Sequence, residues 1–413
     1  MSAASSRARR LAQGPFVPAN AAVPRAVDVG GRSQRRARSG SFRRRRAPGY
    51  LAAAAAAVLA AMARFGCRSV PRGSVSAAAT VSMPVAPAEE RQQMQRLIAR
   101  HRANNAGATL CLLLTVVLWA VGLFAIHVTG GHWLSLVYTG LCISRWFMVF
   151  HDAAHLSFFE DAWMNKRLAD VSQFFVNYNW RQWAEIHNSH HRHFGDAEVK
   201  DTSLTIWYSQ TELAAAPWLL RAVHRLIRDP LLFYPVASFF VFFINKPLTH
   251  LPMRLLMPTL LWCTLGKHTA LMYVVATWIA GMVGVTCFHL QHHCNTPYRV
   301  ARSDRRSFAD AALAGSTRIP VPFPLSVFTL GIEYHHIHHW DVRVPGYNLA
   351  RCDTDGEELG LWNGRVNTLG FSRAFKSLFH TQFSGSQKVT DDAGRPPRFV
   401  SFWPYSVLGL QDA

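Results

Sequence analysis

The stretch WLSLVYTGLCISRWFMVF, residues 133–150, runs directly into HDAAH, residues 151–155. The first part is an apolar run of 18 residues broken only by Arg145. A run of that length and character reads as a helix crossing a bilayer. The second part sets His151 and His155 four residues apart, so on a continuing helix they share a face. Imidazole is a good ligand for iron, zinc, copper and nickel. Metal-binding side chains are therefore presented where a membrane helix leaves the bilayer, and the rest of the chain repeats that arrangement.

Residues 108–128 give 21 consecutive residues without a charge, close to the ~20 needed to cross a ~30 Å hydrocarbon core. They join 133–150 through the short turn Thr129-Gly130-Gly131-His132, which predicts a tight helical hairpin. A second hairpin is expected from residues 255–265 and 269–288, with a short first arm. Between the hairpins, residues 231–244 are apolar but only 14 long and contain Pro235. They are expected to lie in, or re-enter, the membrane interface. Residues 89–105 are polar and predict a short amphipathic helix before the membrane. No further span is expected after residue 288. The two turns inside the hairpins hold one Lys between them, whereas residues 151–230 hold eight Lys or Arg. The positive-inside rule then puts 151–230 and 289–413 on the cytoplasmic or organelle-interior side.

Thirteen of the 20 histidines fall in four clusters. After His151 and His155 come His187, His190 and His191, with His193 close behind. His289, His292 and His293 end the last span, and His335, His336, His338 and His339 form the fourth group. The i, i+3, i+4 spacing lets each cluster offer two or three imidazoles to one place. Eight or nine imidazoles exceed the needs of one ion, so at least two are implied. The expected crossings place all four clusters on the same membrane face. A metal-buffering tract is a single low-complexity segment, and these clusters are separate. The isolated His101, His127, His132, His224, His250, His268 and His380 are expected to be structural or solvated.

The net charge of +20 is concentrated in residues 1–80, which hold 15 Arg, no Lys and one acid, Asp28. The remainder is only mildly basic, so a nucleic-acid partner is not expected. Residues 1–80 have the Arg-, Ser- and Ala-rich composition of a targeting leader, with an apolar run at 51–63. Half of all residues are hydrophobic and only 16% charged, as expected for a chain partly solvated by lipid. The seven cysteines form no C-x-x-C pair and read as reduced packing residues.

HDAAHLSFF, HNSHH and HHIHH, the last followed by VPGYNL, resemble the three histidine boxes of membrane fatty acid desaturases. WRQWAEIHNSHHRHFGDAEVKDTSL and FADAALAGSTRIP resemble the surroundings of the second and third boxes in acyl-lipid desaturases of bacteria and plastids, the omega-6/delta-12-like subgroup. The likeness runs from about residue 145 to residue 349. It implies an all-α integral membrane protein of about four transmembrane helices in two hairpins, with a helical cap on the cytoplasmic or stromal side. The corresponding division is a leader at 1–80, a pre-membrane segment at 81–107, the desaturase domain at 108–350 and a C-terminal cap or tail at 351–413.

The resemblance also implies two non-haem irons, O2 as co-substrate and a lipid acyl chain as substrate. The implied metal ligands are His151, His155, His187, His190, His191, His292, His335, His338 and His339. Four positions depart from the family pattern. Ala153-Ala154 replace a common Cys-Gly pair, Glu333 replaces a small residue, and His289 replaces an aromatic or apolar one. Glu333 is either an acceptor for a ligand imidazole or a peculiarity of this lineage, and His289 is expected to stand behind His292 or face the headgroups.

The leading expectation is insertion of a double bond, of omega-6/delta-12 type. Hydroxylation, epoxidation or carotenoid-type oxygenation on the same scaffold is the alternative. No H-P-G-G haem-binding segment occurs, so electrons are expected from a separate ferredoxin or b-type cytochrome. A plastid membrane is favoured over the endoplasmic reticulum.

Overall fold

The computed structural model describes residues 88–195, 216–227, 230–244, 250–293 and 308–377. The leader expected at 1–80 and the tail beyond 377 lie outside these residues, as do the side chains of His224 and His293. Among the described residues the structure is helical throughout, with one isolated parallel bridge between Arg318 and Thr368.

Helix α1, Ala88–Arg100, precedes two long apolar helices, α2, Asn105–Val128, and α3, Trp133–Ala154. Asn104 caps α2 by accepting the Gly107 amide at 2.7 Å, supplying one of the partners that a helix start lacks. Beyond α3 lie α4, Ala162–Val176, and α5, Trp180–Arg192. The second hairpin is α6, Leu251–Leu265, and α7, Lys267–His293. Its turn residue Gly266 has φ +88°, a conformation that glycine adopts without steric penalty. Helices α8, His335–Trp340, and α9, Gly346–Glu358, belong to the polar part that follows.

Helices α2, α3 and α7 are long and apolar enough to cross a membrane. The 15 residues of α6 span only about 22 Å, short of the ~30 Å hydrocarbon core. The expected four spans therefore correspond, among the described residues, to three full-length helices and one shorter apolar helix. The segment with Pro235 forms π-helical turns at Phe233–Ala237 and Phe240–Ile244, and Trp278 of α7 donates to the Pro235 carbonyl at 2.8 Å.

The hairpins pack on each other through Ile126, Ile143, Met257, Leu261, Tyr273 and Ala276. Leu110, Val117 and Phe124 of α2 instead stay largely exposed, the pattern of a helix whose outer face meets lipid. Arg145 is tolerated inside α3 because it is buried and its donors are used. Nε reaches the Thr115 hydroxyl at 2.9 Å, Nη2 reaches Cys111 Sγ at 3.3 Å, and Nη1 donates to the Val327 carbonyl. His127 bonds Thr269 at 2.9 Å and His268 bonds the Gly130 carbonyl at 3.1 Å, so these isolated histidines tie the two hairpins together at the end away from the clusters.

At the other end, α1 is more than a polar approach to the membrane. Its Met94, Leu97 and Ile98 are buried against Ile337, Leu349 and Trp362. Burial of three such side chains contributes on the order of 1.5–3 kcal/mol each, so α1 holds the segment carrying the fourth histidine cluster.

Close approach of α3 and α7 depends on Gly140, where an added Cβ would lie 2.8 Å from Ile279 Cγ2 and 3.1 Å from the Ala276 carbonyl. Gly140→Leu is expected to cost about 1–3 kcal/mol by overpacking. Thermal unfolding of the detergent-solubilised protein measures this, and an unchanged midpoint would contradict the packing described.

Candidate metal centre

Four segments deliver the imidazoles to one place. His151 lies in the last turn of α3 and His155 at its C-cap. α5 carries His187, His190 and His191, α7 ends with His292, and α8 carries His335, His338 and His339. The ligand nitrogens of His151, His155, His187 and His338 all lie within 4.8 Å of one another. Those of His190, His292 and His339 form a second set of the same kind.

His191 and His335 fall outside these two sets but each reaches one of them. His191 Nε2 is 3.1 Å from His187 Nε2 and 3.0 Å from His338 Nε2. His335 Nε2 is 3.0 Å from His292 Nε2. All nine expected ligands thus converge.

One expectation needs correcting. Spacing alone has each cluster serving one place, yet α5 and α8 both divide. His187 goes to the first set and His190 to the second, and His338 and His339 separate likewise. Adjacent helical residues differ by about 100° around the axis, so the final pair of an H-x-x-H-H run straddles two sites.

The second nitrogen of each ring decides which one can bind metal. His151 Nδ1 is 2.9 Å from Asp152 Oδ1, and His292 Nδ1 is 3.1 Å from the Gly315 carbonyl. Carboxylate and carbonyl oxygens only accept, so Nδ1 carries the proton and Nε2 turns its lone pair inward. Asp152 is held in turn by the Gly346 amide, which donates to Oδ2 at 2.6 Å. No larger residue fits at 346, because a Cβ there would lie 2.5 Å from the Leu330 carbonyl. The Gly of VPGYNL, noted in the sequence only as part of a resemblance, therefore ties the first box to the segment after the fourth cluster. Tyr347 extends the tie by donating to the Phe158 carbonyl at 2.9 Å.

Trp183, one turn before His187, stacks on its ring at 4.4 Å between centroids and also borders His151. Burial first, and mutual proximity second, push the imidazoles of His187, His191, His335, His338 and His339 well below their ordinary pKa. They are neutral, the form that binds metal.

These residues fit metal ions on three grounds. The donors are neutral imidazoles. The buried His155 Nε2 has no hydrogen-bond partner. The closest Nε2 pairs lie 3.0–3.3 Å apart, and two nitrogens bound at ~2.1 Å to one ion, at right or tetrahedral angles, lie about 3.0–3.4 Å apart.

His336 differs from its neighbours. It is fully buried but turns toward Asp353, with Nε2 3.3 Å from Oδ1, and packs edge-on against Trp362. Arg318 holds the other Asp353 oxygen at 2.6 and 2.9 Å. The i, i+3, i+4 spacing leaves His336 off the face shared by His335, His338 and His339, but nothing in it points to the acid, which lies 17 positions downstream. Glu333 is buried, which pushes its carboxyl up to about 7, but among the described residues no ligand imidazole bonds to it. His289 is buried, belongs to neither of the two sets, and has Nδ1 2.5 Å from the Tyr234 hydroxyl.

His292→Ala is expected to deplete metal from the purified protein, whereas His289→Phe retains it. Elemental analysis of the two variants checks this. Equal loss from both would make His289 a ligand.

A family model described as fatty acid desaturase matches residues 131–359, more than half of the chain. The chain is 25% identical over 312 residues to a protein of Bacillus subtilis named fatty acid desaturase, covering 70% of this chain and 87% of that one. It is 25% identical over 265 residues to the sn-1 oleoyl-lipid 12-desaturase of a Synechocystis species, covering 60% and 74% respectively. It is 22% identical over 288 residues to the chloroplastic omega-6 fatty acid desaturase of Arabidopsis thaliana, covering 64% and 63%. With its histidines gathered at the ends of apolar helices and the family match spanning all four clusters, the chain belongs to the fatty acid desaturase family.

Proposed function

We propose that this protein is an O2-dependent acyl-lipid desaturase of omega-6/delta-12 type. Its two irons are held by His151, His155, His187, His190, His191, His292, His335, His338 and His339. The observation that carries the substrate reading is a cavity of about 90 Å³ between α3 and α7, mostly apolar and bordered by Phe147, Met148, Gly284, Cys287, Phe288 and Gln291. Phe288 connects it to the histidines, with its ring centroid 5.0 Å from that of His292 and 5.6 Å from that of His190. An apolar pocket leading up to a metal-binding cluster suits a methylene chain better than a polar substrate.

When bound, the irons supply the oxidising chemistry that takes two hydrogens from adjacent methylenes, using O2 and two electrons from an external donor. The chain's own residues position the substrate and keep water out. Phe147 and Phe288 border the cavity, and Trp183, packed against Phe147, walls the first histidine set. Gln291 also lines the cavity and is fixed by its Nε2 donating to the Ile332 carbonyl at 2.9 Å. Holding one pair of methylenes beside the irons decides which bond reacts.

The omega-6/delta-12 assignment draws on the names of the cyanobacterial and chloroplastic relatives. Residues 1–80 act as a targeting leader to a plastid membrane, where ferredoxin is the electron donor. Their basic, acid-poor composition supports this.

Expression in a desaturase-free yeast or cyanobacterium, followed by mass spectrometry of host lipids, tests the reaction. The expected product is an 18-carbon acyl chain lighter by two hydrogens. A gain of one oxygen would move the assignment to a hydroxylase.

A further inference from the structure

Most described glycines buried in the helical hairpins have a packing reason. A Cβ at Gly140 would collide with Ile279, and one at Gly281 would lie 2.8 Å from the Phe242 ring. Gly284 has no such reason. It lies in the middle of α7, where glycine weakens a helix relative to alanine. Yet, among the described residues, an added Cβ would meet nothing beyond its own helix backbone within 4 Å. The space it leaves open belongs to the cavity between α3 and α7.

Position matters as much as space. Gly284 precedes His292 by eight residues, about 12 Å along the helix axis. A side chain at 284 would therefore enter the cavity well below the histidine sets, on the membrane-core side. A glycerolipid headgroup belongs at the interface, so the part of an acyl chain that occupies this depth is the part beyond the reacting methylenes, toward the methyl end.

We infer that Gly284 is a specificity-determining residue whose missing side chain gives clearance to the methyl-end portion of the acyl chain, and so sets how long a chain is accepted. The inference rests on the acyl-desaturase reading above and goes beyond it by assigning chain-length selection to one position. One methylene in a hydrophobic pocket is worth roughly tenfold or more in selectivity, so a branched or aromatic intruder has a measurable effect.

The experiment expresses the full chain, wild type and Gly284→Ala, Gly284→Leu and Gly284→Phe, in a host supplied with both 16- and 18-carbon chains. Gas chromatography gives the ratio of desaturated 18- to 16-carbon product, and native mass spectrometry of the purified protein gives the lengths of co-purifying acyl chains. Gly284→Leu and Gly284→Phe are expected to lower both ratios by about tenfold or more, and Gly284→Ala to lower them less. Gly122→Ala is the control, because its Cβ would lie 3.0 Å from the Thr139 hydroxyl oxygen and neither residue lines the cavity; it is expected to reduce accumulation without shifting either ratio.

Unchanged ratios in Gly284→Leu or Gly284→Phe at normal accumulation would overturn the inference. If those variants fail to accumulate, Gly284→Ala decides, since its methyl group meets none of the described residues within 4 Å, and an unshifted ratio there overturns it equally. A wild type that forms no double bond defeats the desaturase reading instead, while the co-purified chain lengths still decide the clearance.

Discussion

Six Nε2-to-Nε2 approaches of 3.0–3.3 Å among eight imidazoles are the constraint on which the rest of the structure depends. Each buried, unmatched nitrogen costs about 1–3 kcal/mol, so nine such rings facing one another oppose folding unless metal ions use their lone pairs. The scaffold is arranged to hold the rings against that cost. Asp152 and the Gly315 carbonyl fix two tautomers, Gly346 fixes Asp152, and α1 buries its apolar face against the segment that carries α8. The last turns of α3 and α7 bring imidazoles from the apolar helices to the same end of the protein. The cavity between those two helices is bordered by Phe288, whose ring also packs against His190 and His292.

Much of this was legible in the sequence because it rests on local patterns. Apolar runs of about 20 residues and i, i+3, i+4 histidines are both one-helix signals. They located α2, α3, α7 and the four clusters that supply the nine convergent imidazoles, while the choice of His292 over His289 and His293 came from the family resemblance. What escaped depends on contacts distant in sequence. The 194 positions between Asp152 and Gly346 carry no pattern that announces their hydrogen bond. The approach of His336 to Asp353 and the contact of His289 with Tyr234 are likewise marked by no local pattern. The allotment of His190 and His191 to different sides was derivable from the helical angle, but only once two destinations were known to exist.

The π-helical turns at 233–244 illustrate the opposite case. An apolar run with an internal proline is too short to span and too apolar for an exposed loop, so its composition marks it as unusual without saying what it does. In the structure it lies along α7, where Phe242 fills the space left by Gly281 and Tyr234 meets His289. Its role is defined by the helix it packs against.

The central claim is that nine histidines from four segments make two adjacent metal sites. The most direct test is the metal content of the purified full chain, expressed with supplemental iron and counted per polypeptide by elemental analysis. Two irons per chain with little zinc is the predicted result. One metal per chain, or zinc that cannot be replaced without loss of activity, would contradict it.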